Sequence, residues 1–533
     1  MISRPRLAAL ALLPCLAVSA GCGHKDRAAK APSDNVFRIA MTASPTTFDP
    51  IMVEDGTTID MLQQVAEGLV QWTPENKVTG ALAKSWDISK DGRTYTFHLR
   101  DGVKFQDGNP MTAQDVYFSF KRAFSNKLES PVSLTYLGDI VGSDELFAGK
   151  TTELTGVKVI DPMTIAITIK KPKTYWIYTL TYPTGYILSP SEAKLDAPLT
   201  DKDLAAGAGT GPFRLTQYTT DQKVTLAANS AYWGGAPKIA GQDRRIVIDA
   251  ATRHSLYVNG EIDIVDEQKG DLDTDSKTLK DEVKFWPRAA TYYVGLNQGT
   301  FPAFKDVRVR QALAYATDKQ KIRHVVLRDN LDVAEDILPV GIPGADPSFK
   351  GIPYDPAKAR ELLAAAGYPG GKGFPAITIS YRESYPDLDK TVDLIRGMWK
   401  DNLGIDVQGK RTQWTVLLDL EHKNQLDAYH IRWAADYLDP QDYYTVLLTT
   451  HGSENHTGYS NPKFDQLCEQ ADSMPDGPER VAKYREAARI VADEVPMIPL
   501  YYQKDIELVK PYVQNIDDGL MGHLPYKNLT LAK

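Results

Sequence analysis

Hydrophobic and polar residues alternate along some stretches of this chain and recur with helical spacing along others. Residues 36–40 and 94–100 alternate with a period of two, which predicts β-strands. Residues 57–69 and 388–403 have the spacing of amphipathic helices. Strand and helix patterns follow one another along most of the chain, so we predict an α/β fold. A late strand over residues 496–502 is expected to return to the lobe that contains the first strand.

Turn and capping signals mark the most strongly patterned region. Three Asp-Gly pairs, which begin at Asp91, Asp101 and Asp107, each favour a tight turn. Thr112 then stands at the cap position of a helix that runs through Arg122. We therefore predict a compact β-meander that leads into this helix.

Length and charge set broad limits on the function. A chain of 533 residues exceeds a single hydrophobic core, so we expect two or three lobes. The formal net charge is −8, and it becomes −10 without Arg4 and Arg6 of the N-terminal leader. A mildly acidic chain without a run of Lys and Arg is not expected to bind nucleic acid.

The first residues have the features of a secretory leader. Arg4 and Arg6 precede a short apolar run, residues 7–18, and the small residues 19–21 stand directly before Cys22. The apolar run is too short to span a bilayer. Small residues before a cysteine resemble the bacterial lipobox, in which the cysteine is lipidated and becomes the first residue. Cys22 is therefore the predicted lipid anchor, and ordinary secretion with a free Cys22 is the alternative.

Residues 22–35 are mostly small or charged and are expected to form a flexible tether.

The cysteines of the mature chain are not expected to form a structural framework. Beyond the leader the chain has only Cys22 and Cys468, so we expect no disulfide framework. Cys468 lies in a helical pattern over residues 462–474 and is predicted to be a packed or partly exposed thiol.

A series of motifs along nearly the whole mature chain resembles the peptide-type (family 5) solute-binding proteins that serve ABC importers. It begins with the three turns and the helix described above. The later motifs are F-A-G-K at 147–150, T-G-V-K at 155–158, G-T-G-P-F at 209–213, N-S-A-Y-W at 229–233, N-G-E-I-D at 259–263, Y-Y-V-G-L-N at 292–297, D-V-R-V-R-Q-A-L at 306–313 and Y-D-P at 354–356. The oligopeptide-binding members are the most similar.

The resemblance implies a periplasmic-binding-protein type II (cluster C) fold, with two hinged lobes around a ligand cleft plus an extra subdomain. It also implies a monomer without a cofactor that binds short peptides and passes them to the membrane permease subunits of an ABC transporter. The implied division is a signal peptide at 1–21, the tether at 22–35, lobe I at 36–66, 191–287 and 501–533, the extra subdomain (lobe II) at 67–190, and lobe III at 288–500.

Asp436 is the residue around which the predicted site is built. It lies between Trp433 and Tyr437, and a turn-forming Asp-Pro pair follows. A carboxylate in apolar surroundings is costly to bury unless a cation or several hydrogen-bond donors meet it. That cation belongs either to the protein, which makes Asp436 half of a structural salt bridge, or to a ligand. In the resembling oligopeptide-binding proteins, an aspartate in a Trp-x-x-Asp-Tyr sequence receives the α-ammonium group of the peptide, which implies the same role for Asp436.

Three further positions follow from the resemblance. Glu54 stands where the family has an acidic residue that contacts the ligand, although a Glu near a helix start is also a favourable partner of the helix dipole. His430 stands where some peptide binders have an arginine close to the ligand, and it introduces a contact that titrates near neutral pH. Val132 replaces a ligand-facing tyrosine of some relatives, so peptide length and side-chain preference do not transfer.

Catalytic and metal-binding motifs were weighed as alternatives. The sequence has no G-x-S-x-G, H-E-x-x-H or phosphate-loop motif and no cysteine pair spaced for zinc. Asp271, Asp273, Asp275 and Glu282 occupy four ligand positions of a calcium loop, but Ser276 stands where the loop needs glycine. We therefore expect a solvated acidic loop there and no metal site.

Together these patterns predict a lipid-anchored receptor, not an enzyme, on the periplasmic or extracellular face of the bacterial membrane. It closes on short peptides and delivers them to an ABC permease. Alternatives with the same fold are a binder of a nickel chelate, haem, a sugar or an opine, and a receptor that reports peptides without transport. A secreted hydrolase with an unfamiliar active site is the alternative from another class.

Overall fold

The computed structural model of this chain describes residues 34–266, 272–383 and 386–532. The predicted signal peptide and Cys22 lie outside these residues. The strands, in chain order, are β1 (Val36–Met41), β2 (Val70–Trp72), β3 (Val78–Gly80), β4 (Ala83–Ile88), β5 (Thr94–Leu99), β6 (Val157–Asp161), β7 (Thr164–Thr168), β8 (Phe213–Thr219), β9 (Lys223–Ala228), β10 (Gly241–Ile246), β11 (Ile264–Asp266), β12 (Val283–Leu296), β13 (Ile377–Arg382), β14 (Val407–Thr412), β15 (Ala428–Ala434), β16 (Met497–Val509), β17 (Val513–Gln514), β18 (Asp518–Gly519), β19 (Gly522–His523) and β20 (Thr530–Leu531).

The helices lie between these strands. The α-helices are α1 (Gly56–Val65), α2 (Ala113–Ala123), α3 (Ser133–Tyr136), α4 (Ser143–Phe147), α5 (Trp176–Thr179), α6 (Asp201–Ala206), α7 (Ala250–Val258), α8 (Leu272–Thr278), α9 (Val307–Tyr315), α10 (Lys319–Val325), α11 (Pro356–Ala365), α12 (Pro386–Leu403), α13 (Trp414–His422), α14 (Gln441–Leu448), α15 (Pro462–Ser473) and α16 (Pro478–Glu494). Short 3₁₀ turns occupy Pro50–Met52, Pro183–Gly185, Pro302–Lys305, Pro369–Gly371 and Tyr526–Asn528.

A ten-stranded mixed sheet runs through the molecule in the order β14-β13-β15-β12-β16-β11-β1-β10-β9-β8. In one half β1 pairs in parallel with β10 and β11, and in the other half β13 pairs in parallel with β14 and β15. The long strands β12 and β16 join the halves by antiparallel pairing. The predicted α/β class is confirmed by this sheet and the helices that cover it.

The two long strands carry the chain from one half of the sheet to the other. Residues 283–287 of β12 pair with 504–508 of β16, and the register shifts between Pro287 and Thr291. The predicted late strand at 496–502 is therefore longer than expected, because its second half pairs with both β12 and β11. The predicted domain boundaries at 287/288 and 500/501 fall within these strands, and the division into lobes stays a prediction.

The predicted meander forms a separate four-stranded antiparallel sheet in the order β4-β5-β7-β6, against which α2 packs. The glycines that follow Asp91, Asp101 and Asp107 all have positive φ angles, which glycine adopts without strain. The backbone N–H of Thr112 donates to the carboxylate of Asp115 at 2.7 Å, so the predicted start of the helix is observed.

The acidic segment that resembles a calcium loop differs from the expected solvated loop. Asp271 and the side chain of Asp273 lie outside the described residues. Asp275 lies in α8, is buried, and has a carboxylate oxygen 2.7 Å from Nε2 of His254. Glu282 accepts hydrogen bonds from a tyrosine hydroxyl and a lysine ammonium group. The expectation of a solvated loop was wrong here because protein groups compensate these two carboxylates.

A buried ion pair joins distant segments beside the meander. Arg122 on α2 is fully buried, and its guanidinium donates to the two carboxylate oxygens of Asp49 at 2.8 and 2.5 Å. The backbone N–H of Leu199 donates to the same carboxylate at 2.8 Å. Arg122 also donates to the carbonyls of Lys194 and Ala197, so one charge pair ties three segments together.

Within the described ranges, no helix combines the length and apolar composition needed to cross a bilayer.

We expect Arg122→Met to lower the free energy of unfolding by roughly 3–5 kcal/mol, because it leaves the buried carboxylate of Asp49 without its cation. Urea denaturation followed by circular dichroism measures this change. Lys127→Met is the matched control, because it removes the partner of Asp196 in an exposed pair and should change stability by at most about 1 kcal/mol. Equal effects of the two substitutions would contradict the role of the buried pair.

Candidate ligand-binding site

The predicted site residues lie at the end of an internal strand of the large sheet. Strand β15 lies between β12 and β13, and the chain leaves the sheet after Ala434. The backbone N–H of Ala435 still donates to the carbonyl of Ala289 at 2.8 Å. A short loop follows and leads into α14. The loop is thus fixed at one end by the sheet and at the other by a helix.

Asp442, on the first turn of α14, organises this loop. Its side chain is buried, and one of its carboxylate oxygens accepts two hydrogen bonds. The donors are the indole N–H of Trp433, at 3.0 Å, and the backbone N–H of Asp436, at 3.2 Å. Burial, together with the charge of Asp436, raises the pKa of Asp442 well above its usual value. Trp433 therefore holds the loop through its indole, in addition to providing an aromatic surface.

Asp439 has a resident cation. Its carboxylate accepts two hydrogen bonds from the guanidinium of Arg480 on α16, at 2.8 and 2.7 Å, and both side chains are almost completely buried. The Nε–H of Arg480 donates to the carbonyl of Ala471 at 3.0 Å. The salt bridge that was the alternative for Asp436 is thus found three residues further along the chain.

Asp436 has no such partner. No Lys, Arg or His nitrogen of the described chain lies within 4.0 Å of its carboxylate, which is half-buried. Burial raises the pKa of Asp436 to about 6, the hydroxyl of Tyr136 opposes this shift, and the charge of Glu454 adds to it. An aspartate that has a raised pKa and no nearby cation is suited to bind a positively charged group of a ligand, because that charge stabilises the ionised carboxylate.

Two stacked pairs of tyrosines interact with this carboxylate or lie beside it in the chain. The ring of Tyr437 stacks on that of Tyr175, with centroids 5.6 Å apart and an interplanar angle of 3°. The ring of Tyr136 stacks on that of Tyr182 at 3.7 Å. Burial raises the pKa of Tyr182 to about 12, and the charges of Asp436 and Glu54 both add to this shift. The predicted residues Asp436 and Glu54 therefore both interact electrostatically with Tyr182.

Glu54 itself is exposed and directly follows Val53, whose carbonyl accepts a hydrogen bond from the Tyr182 hydroxyl at 3.0 Å. It also directly precedes Asp55, whose side chain caps α1. Glu54 is thus positioned by its neighbours, and its carboxylate is available to a ligand. Its predicted ligand contact stays a prediction.

His430 lies on a different face of the sheet. Side chains alternate along a strand, so His430 and Trp433, three residues apart on β15, point to opposite faces. The imidazole is 1% exposed, stacks on Tyr292 with centroids 5.9 Å apart, and lies near Tyr501. Neither ring nitrogen has a hydrogen-bond partner among the described residues, and burial lowers the pKa of His430 to about 4. The structure does not bring it together with Asp436, and its ligand contact stays a prediction.

Sequence reasoning missed several residues around the carboxylate, namely Tyr136, Tyr182, Asp442 and Glu454. Val132, predicted to replace a ligand-facing tyrosine, is buried at the N-cap of α3, and Tyr136 follows one helical turn later. The tyrosine that interacts with Asp436 is thus supplied from the next turn. The abundance of tyrosine, 27 in the chain, was the available signal, but it does not identify which ones meet.

A groove of about 760 Å³ opens beside the loop. Its lining residues include Trp86, Tyr178, Leu438 and Asp476. Its volume lies in the range of small-molecule sites. Asp436 does not line this groove, and Leu438 is the loop residue that borders it.

The chain matches known proteins over most of its length. The profile of bacterial extracellular solute-binding proteins, family 5 (middle part), matches residues 77–455. The periplasmic oligopeptide-binding protein OppA of Escherichia coli (strain K12) is 30% identical over 496 residues, which cover 90% of this chain and 89% of OppA. Heme-binding protein A of Haemophilus influenzae is 30% identical over 545 residues, 97% of each chain.

A solved structure shows the same fold. The periplasmic murein tripeptide-binding protein MppA, in its unliganded open form, superposes with a TM-score of 0.81 at 25% identity, over 95% of this chain and 98% of MppA. The predicted type II periplasmic-binding-protein fold is thereby confirmed. The profile match and the similarity to OppA lead to the same conclusion: the chain belongs to the family 5 bacterial extracellular solute-binding proteins, the substrate-binding components of ABC importers.

Proposed function

We propose that this protein captures short peptides by closure of a cleft, anchors the peptide amino terminus on Asp436, and delivers the peptide to the permease of an ABC importer. The observation that carries the proposal is the half-buried carboxylate of Asp436, which has no cation within 4.0 Å in the described chain. The α-ammonium group of a peptide supplies this cation. It is present in every unmodified peptide, so recognition need not depend on side chains.

The surroundings of Asp436 favour a charge pair with a cationic group of a ligand. The stacked pairs of Tyr437 with Tyr175 and of Tyr136 with Tyr182 are mostly buried, and the low local dielectric that they help to create strengthens a charge pair with Asp436. Glu54 adds a second negative charge on the side of Tyr182. In this arrangement Asp436 binds the charge, Trp433 fixes the loop, and Tyr437 walls the pocket.

The relatives support a peptide ligand without deciding it. OppA is named for oligopeptides and MppA for murein tripeptide, and both fit an ammonium-bearing ligand. Heme-binding protein A is equally similar to this chain, so family membership alone leaves the ligand open. The carboxylate without a cation is what favours peptides over haem here.

We expect Asp436→Asn to fold normally and to lower the affinity for unmodified peptides at least about tenfold, because it removes one charge of a desolvated ion pair. Peptides co-purified with the soluble chain are first identified by native mass spectrometry. One of them is then titrated calorimetrically into both proteins. Asp493→Asn is the control, since it neutralises an exposed carboxylate on α16 and should leave affinity unchanged. The same peptide with an acetylated amino terminus should bind the unsubstituted protein poorly, and tight binding of it would move recognition away from the amine.

Peptide affinity should also depend on pH. The pKa of Asp436 in the free protein is raised to about 6, so the carboxyl group is largely protonated below that pH and ionised above it. Because the ammonium group binds the ionised form, affinity should fall as pH drops through 6, by up to about tenfold per pH unit. Calorimetry of one peptide between pH 5 and 7.5 tests this. Asp436→Asn should give a nearly flat profile over the same range, and a steep profile in that variant would assign the pH dependence to another group.

We further propose that Cys22 is lipidated and holds the receptor at the periplasmic or extracellular face of the membrane, where it acts as a monomer. Small residues directly before Cys22 and a run of mostly small and charged residues after it support this proposal. Expressed in a bacterial host, the full-length chain should sediment with membranes, and Cys22→Ser should release it into the soluble extracytoplasmic fraction. Cys468→Ser is the control and should stay with the membrane, since Cys468 is buried on α15. Membrane retention of Cys22→Ser would contradict the lipid anchor.

A further inference from the structure

Two histidines and a glutamate converge on one face of the half that contains Asp436. His422 is the last residue of α13, and Glu454 and His456 lie in the loop between α14 and α15. Their ligating atoms, one from each side chain, all lie within 4.8 Å of one another. Because the three residues come from two separate segments, only the fold brings them together.

The loop that carries two of these residues is firmly held. The side-chain amide of Asn455 donates to the carbonyls of Thr449 and Tyr459, both at 2.8 Å. The carbonyl of Thr457 accepts a hydrogen bond from the backbone N–H of Gln298 at 2.8 Å. These bonds fix the backbone on both sides of Glu454 and His456. A pre-formed pair of ligands is thus presented to the helix end at His422.

The distances fit a divalent metal with little rearrangement. Zinc bonds to histidine nitrogen and carboxylate oxygen are about 2.0–2.1 Å long, so ligand atoms around a tetrahedral ion are about 3.4 Å apart. Nε2 of His456 already lies 3.3 Å from a carboxylate oxygen of Glu454. The rings of His422 and His456 have centroids 5.4 Å apart. The ligand atoms lie within 4.8 Å of one another, and His422, whose side chain is exposed, is the member that must move to close the set.

The local charge also favours a cation. Glu421, which directly precedes His422 on α13, has a buried side chain. Among the described residues, no Lys or Arg forms a salt bridge with Glu454. The negative charge of Glu454 also acts on the carboxyl group of Asp436. Imidazole nitrogens and a carboxylate are the donors that Zn²⁺ and neighbouring transition metals prefer, whereas Ca²⁺ and Mg²⁺ select oxygen ligands.

We propose that His422, Glu454 and His456 form a binding site for a divalent transition-metal ion, with Zn²⁺ as the ion that suits the donor set. Two imidazoles and one carboxylate supply three ligands, and water completes the tetrahedron. The charge of Glu454 also acts on Asp436, but metal binding by the three residues does not depend on the proposed transport of peptides.

Zinc binding by the tag-free chain from residue 25 onward tests the site, since that chain lacks Cys22 and His24 as competing ligands. A titration against a chromophoric chelator should give one Zn²⁺ per chain with a dissociation constant in the micromolar range or tighter. His422→Gln, Glu454→Gln and His456→Gln should each weaken binding at least about tenfold. His451→Gln is the matched control, because His451 is exposed in the same loop and outside the cluster, and it should bind as the unsubstituted chain does.

His422→Gln is the decisive variant, because its side chain is exposed and its loss should not disturb folding. Thermal melting without metal should be the same for this variant and the unsubstituted chain, and added Zn²⁺ should raise the melting temperature of the unsubstituted chain only. Equal zinc affinity of His422→Gln and the unsubstituted chain would show adventitious binding and overturn the proposal. Absence of zinc binding by the unsubstituted chain would also overturn it. Neither result bears on peptide binding, which is measured without metal.

Discussion

Three carboxylates within seven residues, Asp436, Asp439 and Asp442, constrain the site, because each must be compensated where water is scarce. Asp439 is paired with the guanidinium of Arg480, held by two hydrogen bonds. Asp442 accepts the indole N–H of Trp433 and a backbone N–H, and its raised pKa favours the neutral form. Asp436 receives neither a cation nor these donors. Asp436 is thus the one of these three carboxylates without a protein partner of this kind, and this difference is the basis of the proposed binding of a cationic group.

The ion pair of Asp439 with Arg480 explains why Asp436 has no cation of the protein as its partner. Arg480 is buried, contacts both oxygens of Asp439 and also donates to a carbonyl of α15, so it is not free to move to Asp436. The same pair ties the loop to α16 and, through the carbonyl of Ala471, to α15. A mobile Arg or Lys nearby would compete with a ligand for this carboxylate. A resident cation held three residues away removes that competition and still neutralises part of the acidic loop.

Local signals made much of the fold and the centre of the site predictable. The Asp-Gly turns, the cap at Thr112 and the aromatic neighbours of Asp436 are all encoded within a few residues. Tyr136, Tyr182 and Glu454 were not predictable, because they reach Asp436 from segments that are distant along the chain. The surroundings of His430 were also not predictable. The alternation of side chains along the strand predicts which face of the sheet His430 lies on, but it does not predict which tyrosines pack against it. The residues that were missed differ from the predicted ones in that their position depends on packing between segments that are not adjacent in the chain, which cannot be read from a single sequence.

The loop that contains Asp436 lies where two parts of the chain meet. Its wall residue Tyr437 stacks on Tyr175, and the hydroxyl of Tyr178 donates to Asp476 at 3.1 Å, so the segment before β8 meets the segment after β15 here. The long strands β12 and β16 connect the same two parts through the sheet, with a register shift after Pro287. A ligand that contacts Asp436 on one side and the tyrosines at 136 and 182 on the other gains its full set of contacts only when these parts are close. If a peptide binds Asp436 as proposed, its binding energy would stabilise the closed arrangement over the open one, because the two states would differ in how many of these contacts the peptide makes.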